Sequence, residues 1–164
     1  MNEAHWHLTV NHLPLIFPIV GAMVITIGLS FNSDAVKRTS LLIFIIGALA
    51  CIAAMSTGEG AEEVIEQLGN DSKNYIETHE EVAETFSILS YLLGAVSLFG
   101  LWASIKRRGF SNTLNWSILA FSLVVIIVGK ETGTTGGEIR HTEIRTSNNS
   151  PSTNPQNTEE KEDD

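Results

Sequence analysis

Five histidines (His5, His7, His12, His79 and His141) and two dense groups of glutamates are the residues whose types could do chemistry in this chain. Neutral imidazole nitrogen combined with carboxylate oxygen is an ordinary coordination set for zinc, manganese or iron. Segment 57 to 66 reads Thr-Gly-Glu-Gly-Ala-Glu-Glu-Val-Ile-Glu. As a helix resuming after Gly60 it sets Glu62, Glu63 and Glu66 on one face, and Ala61, Val64, Ile65 and Leu68 on the other. The second group, Glu77, Glu80, Glu81 and Glu84, falls at helical neighbour spacing, where like charges repel. A wet helix face or a helix N-terminus accounts for Glu66, Glu77 and Glu80. Glu84 lies one turn into an apolar run, so it is expected to be partly desolvated and to want a cation, a metal or Lys130 as partner.

His79 shares a helical stripe with Val82, Ala83, Phe86 and Ser90, which is expected to face inward. His12 stands just before Leu13-Pro14. His7 is not on the same helical face and must approach through an N-terminal turn or loop. Gly133-Thr-Thr-Gly-Gly-Glu-Ile-Arg-His141 reads as a flexible return that carries Arg140 and His141 over the same place. The candidate metal ligands are therefore His7, His12, Glu62, Glu63, His79 and His141, with Asn11, Glu59, Glu80, Glu84 and Arg140 as hydrogen-bonding or proton-carrying neighbours. The alternative cofactor is haem b, held axially by His12 and His79, with Ala83 and Ser90 leaving room for the porphyrin. The abundance of glutamate favours the metal ion. No catalytic residue is assigned: Cys51 lies in an apolar run, and the chain lacks GxSxG, GxGxxG and GxxxxGK[ST].

Four apolar stretches must position these residues: 13–31, 40–56, 85–105 and 114–129. Each approaches the ~20 residues that cross hydrocarbon, and none holds a Lys, Arg, Asp or Glu. Runs such as Leu41-Leu-Ile-Phe-Ile-Ile46 are apolar all round, which suits lipid better than a soluble core. The sequence predicts an all-α, antiparallel four-helix integral membrane bundle over 1–145 and a disordered acidic tail over 146–164. The first stretch lacks a basic flank and a small-residue cleavage site, so it is expected to stay in the mature chain.

Half of the 10 basic residues, Lys37, Arg38, Lys106, Arg107 and Arg108, fall in the two short loops on one side. That side is expected to be cytoplasmic, which puts both termini outside the inner (plasma) membrane. Trp102 and Trp116 flank those loops at headgroup level, with Trp6 at the opposite interface. All five histidines, and every one of the 19 acidic residues except Asp34, then lie on the outer side. The formal charge of −9 argues against a nucleic-acid partner. A cofactor-free subunit whose polar mouth docks another membrane complex is a further reading.

The pieces His7-Leu-Thr-Val-Asn-His12-Leu-Pro14, Thr57-Gly-Glu-Gly-Ala-Glu-Glu63 and His79-Glu80 resemble a bacterial family of small four-helix membrane proteins of uncharacterised function. Gly136-Gly-Glu-Ile-Arg-His141 looks like a further signature of part of that group, and the resemblance spans roughly residues 5–145. It implies the same architecture and draws attention to the same residues. A wider set of related domains stands beside c-type cytochrome modules, which implies electron transfer and a c-type cytochrome as a possible partner.

Overall fold

A computed structural model describes residues 2–66 and 73–145. It is helical throughout its elements: α1 (Glu3–Val10), α2 (Leu13–Ser30), α3 (Asp34–Ser56), α4 (Gly58–Glu66), α5 (Lys73–Ile105), α6 (Ser111–Arg140) and a closing 3-10 turn (Thr142–Ile144). The expected tail over 146–164 lies outside the described residues, as do Leu68 and the side chain of Glu66.

Local chemistry sets the helix ends. The Asn2 side chain accepts from the His5 amide and opens α1, and Ser33 caps α3 in the same way through the Val36 amide. Pro14 stands in the first turn of α2, where its missing amide hydrogen costs nothing. The two basic loops close tightly. Asn32 and Arg107 take left-handed backbone (φ 48° and 51°), and the amides of Ser33 and Arg108 reach back to the carbonyls of Gly28 and Ala103.

α2, α3, α5 and α6 are long and apolar enough to span a membrane, and they form an integral membrane bundle. α3 packs on α2 and α5, and α6 packs on α5 and α2, which is the square arrangement of antiparallel neighbours joined by short loops. The side-chain distribution is that of a protein solvated by lipid. Large apolar groups such as Met23, Leu49, Leu98 and Ile127 point outward, whereas Ser40, Ser97 and Ser122 are fully buried. Small residues let the backbones close up: a Cβ on Gly94 would lie 2.5 Å from the Cβ of Ala48, so α3 and α5 meet there only because that position is bare.

The helices run well past the four apolar stretches. α5 has 33 residues and α6 has 30. At 1.5 Å per residue these are rods of about 50 and 45 Å, against a hydrocarbon core of about 30 Å. The basic loops pin one end of the bundle, so the excess emerges at the other: Lys73–Glu84 of α5 and Lys130–Arg140 of α6 stand beyond the hydrocarbon. There α1 packs on α4 and on the end of α3. The glycine-rich stretch is thus not the expected flexible return but the continuation of α6. Its glycines are retained in helix because they pack against neighbours, which outweighs the roughly 1 kcal/mol each costs in an isolated helix.

Candidate functional site

At the cap, His7 of α1 and His79 of α5 lie within electrostatic range of each other. α1 lays His7 half-buried against the end of α3, where Nδ1 lies 3.1 Å from the Ala54 carbonyl and 3.1 Å from Thr57 Oγ1. A carbonyl can only accept, so Nδ1 carries the proton of the neutral ring. His79, half-buried on α5, places its Nδ1 3.1 Å from Thr135 Oγ1 of α6. The Thr135 hydroxyl lies at donating distance from the carbonyls of Glu131 (3.1 Å) and Thr132 (3.2 Å), and while its one hydrogen is used there it accepts from His79. His7 is therefore the Nδ1–H tautomer, and His79 takes the same form when the Thr135 hydrogen rests on a carbonyl. Among the described residues no side-chain hydrogen bond engages either Nε2.

The His79 ring lies over Gly136. A Cβ at that position would stand 3.0 Å from His79 Cε1 and 3.3 Å from Nδ1, so a side chain there would push the ring away from α6. Burial holds both imidazoles below the ordinary value of 6.5. The charge of His7 acts on His79 in the same direction, against hydrogen bonds to the Thr132 backbone for His79 and the Ala54 backbone for His7. His7 thus lies within electrostatic range of His79. One turn along from His7, Asn11 continues the helical conformation, and its Oδ1 is a buried acceptor without a partner among the described residues.

The carboxylates divide. Glu62 of α4 is half-buried, and a hydrogen bond shared with Glu80 of α5 is the largest cause of its carboxyl standing above the ordinary range. Two carboxyl groups can share such a contact only while one holds a proton. Glu59, Glu63 and Glu80 are exposed. Glu84 is exposed too, contrary to the expected desolvation: α5 turns Phe86 and Ser87 inward at that level. Lys130 pairs instead with its neighbour Glu131 at 3.7 Å.

His12 precedes α2, is exposed, and makes no capping hydrogen bond through its side chain. Arg140 is exposed, and His141 pairs with Glu143 at 2.8 Å on the surface. The Glu143 carboxyl is held below its ordinary range, first by its own backbone amide and then by His141. The structure thus sets His7 within electrostatic range of His79 and pairs Glu62 with Glu80, and it adds His12, Glu63 or His141 to neither. Among the described residues no three His, Cys, Asp or Glu side chains form a ready-made metal cage.

Three supporting residues lay outside the expected set: Thr57, Thr135 and Gly136, which orient the two rings. Arg145 is a fourth. Its guanidinium donates to the Glu138 and Ile139 carbonyls at 2.8 and 3.1 Å and stacks 4.1 Å from the Tyr75 ring centroid, tying the end of α6 to the start of α5. The first three lie in segments the sequence singled out, Thr57 in the Thr-Gly-Glu segment and Thr135 and Gly136 in the glycine-rich stretch, but their support of the imidazoles was not anticipated. No protein-family model matches the chain, and no similar protein was found among curated proteins or solved structures.

Proposed function

We propose that this multi-pass membrane protein binds a divalent transition metal ion, zinc, manganese or iron, at its outer mouth through Nε2 of His7 and His79. The observation that carries the reading is the engagement of both Nδ1 atoms by protein oxygens, Ala54 and Thr57 for His7 and Thr135 for His79, which leaves Nε2 as the free end of each ring. Metal-ligating histidines are oriented in this way, with the second nitrogen donating to a carbonyl or another acceptor. Two imidazoles fill two coordination positions. The remaining positions fall to water, for which Asn11 Oδ1 is a ready acceptor, or to the Glu62 and Glu80 carboxylates, which a cation would hold together in place of the shared proton. In this reading the mouth faces outward from the plasma membrane, both termini are extracytoplasmic, and kinship with the small four-helix family is part of the proposal.

The test is metal analysis with an optical spectrum on protein purified in mild detergent. About one equivalent of metal without a Soret band is expected, with loss of that metal in His79→Ala and His7→Ala. A Soret band that sharpens on reduction replaces the metal ion with haem b and points to a partner such as a c-type cytochrome. Folded protein that neither carries nor rebinds metal overturns the site and leaves a docking subunit. Orientation is tested in intact cells with single cysteines at Gly109 and Thr142 in a Cys51→Ser background. Labelling of the first from outside, with protection of the second, reverses the assignment.

A further inference from the structure

The end of the bundle opposite the histidines carries Lys37, Arg38, Lys106, Arg107 and Arg108 against a single carboxylate, Asp34. Two of these cations are already used. Lys37 is buried, pairs with Asp34 at 2.9 Å and donates to Asn32 and Asn112, while Arg38 donates to the hydroxyl and carbonyl of Ser104 at 2.9 and 2.8 Å. Lys106, Arg107 and Arg108, consecutive and exposed in the turn between α5 and α6, have no ion pair among the described residues.

Directly beside them stands an aromatic wall. Phe99 stacks on Trp102 with centroids 5.5 Å apart and on Phe110 at 6.1 Å, and the Arg108 guanidinium lies 5.4 Å from the Trp102 ring centroid. These rings are 50, 44 and 47% exposed for Phe99, Trp102 and Phe110, and Phe99 and Trp102 belong to a membrane-spanning helix, so the wall faces lipid. Three cations free of ion pairs among the described residues at headgroup level, with only Asp34 acting on Arg107 from a distance, are continuous with stacked rings at acyl-chain level and match an amphiphile with a phosphate at one end. A soluble phosphate would use only the cations and leave the wall unexplained.

We propose that this turn and wall form a binding site for one anionic phospholipid, with its phosphate on Lys106, Arg107 and Arg108 and its chains along Phe99 and Trp102. The arrangement confines the headgroup between charges while the rings fix the chain below it, as cytoplasmic basic pockets at helix ends do for acidic lipids. The proposal does not depend on the metal reading, because it uses the opposite end of the bundle.

The experiment uses the full chain with Trp102 as sole tryptophan (Trp6→Phe, Trp116→Phe), reconstituted in phosphatidylcholine containing brominated-chain phosphatidylglycerol or, in parallel, brominated-chain phosphatidylcholine. The brominated anionic lipid should quench Trp102 with an apparent preference of about tenfold or more, and each charge-to-Gln change should lower that preference by about fivefold. Arg108→Gln alone tests this if Lys106→Gln/Arg107→Gln/Arg108→Gln together fail to fold, as read by circular dichroism. Equal quenching by the two lipids, or a preference unchanged in the variants, overturns the proposal. Inorganic phosphate added at constant ionic strength should leave the preference intact, and its loss would make the turn a free-phosphate site and overturn the lipid assignment.

Discussion

The two ends of the bundle use polar residues in opposite ways. At the basic end the buried cations are tied across helices: Lys37 links α3 to the α2–α3 loop and to the start of α6, Arg38 links α3 to α5, and tight turns close the backbone. Asn115 Oδ1 is the buried side-chain atom there that lacks a partner among the described residues. At the histidine end the hydrogen bonds orient side chains without using them up. Two Nε2 atoms, Asn11 Oδ1 and a carboxyl pair that needs a proton are left over. Polar burial therefore has two meanings in one fold. Satisfied groups fix the packing, and groups satisfied on one side only point to a ligand.

Substitutions at the two ends should separate these meanings. The largest effect is expected for His79→Ala, which removes a ligand and should weaken metal binding at least about hundredfold, measured by competition with a chromophoric chelator, with little change in thermal midpoint without metal. Lys37→Ala should do the reverse. It leaves the oxygens of Asn32 and Asn112 short of a charged donor and should cost about 2 kcal/mol in detergent unfolding, with metal affinity unchanged. If Lys37→Ala also abolishes metal binding, the ends are not independent and the contrast fails.

Thr135→Val is the finer probe at the histidine end. It keeps the shape of the side chain but removes the acceptor for His79 Nδ1–H, and a loss of about tenfold in metal affinity is expected. Thr57→Val should do less, because the Ala54 carbonyl still receives the proton of His7. pH gives a graded version. Both imidazoles are held below 6.5, so the unfolded cap takes up protons first as pH falls. Their contribution to stability is full above about pH 6.5 and is lost as pH drops towards the lowered values. Hydrogen exchange should show α1 losing protection over that interval while the Lys37 end does not change. Glu62 has the opposite sign, since its raised value stabilises at low pH and is lost as pH rises through it. The smallest effect is expected for Arg107→Gly, which relieves a left-handed non-glycine residue and should stabilise by about 1 kcal/mol while lowering the preference for anionic lipid.

The membrane-spanning part of the fold was legible because it rests on composition. Apolar runs without charge report their solvent directly, and the short basic loops mark their ends. The cap was harder to read because it depends on tertiary contacts. Gly133 to Gly137 looks like a breaker in isolation, yet it stays helical where the His79 ring needs the bare surface of Gly136. The inward face of His79 followed from its spacing to Phe86 and Ser90. Its convergence with His7, while His12 stays exposed, turns on the short α1 helix and its corner at Asn11, which periodicity cannot specify. Glu84 shows the limit of reading depth from position along a helix, because rotation about the axis decides burial.

The unbroken course of α5 and α6 through the bilayer and beyond has a mechanical consequence. Because both rods are held at the basic end by closed loops, a change in membrane thickness cannot be shared evenly between the two surfaces. It emerges at the far end as a change in how deeply His79, on its rigid shaft, sits relative to the headgroups. A thicker bilayer would draw His79 toward hydrocarbon and a thinner one would lift it into water, so this architecture converts membrane thickness into the hydration of a residue about 40 Å from the anchored end of a single helix.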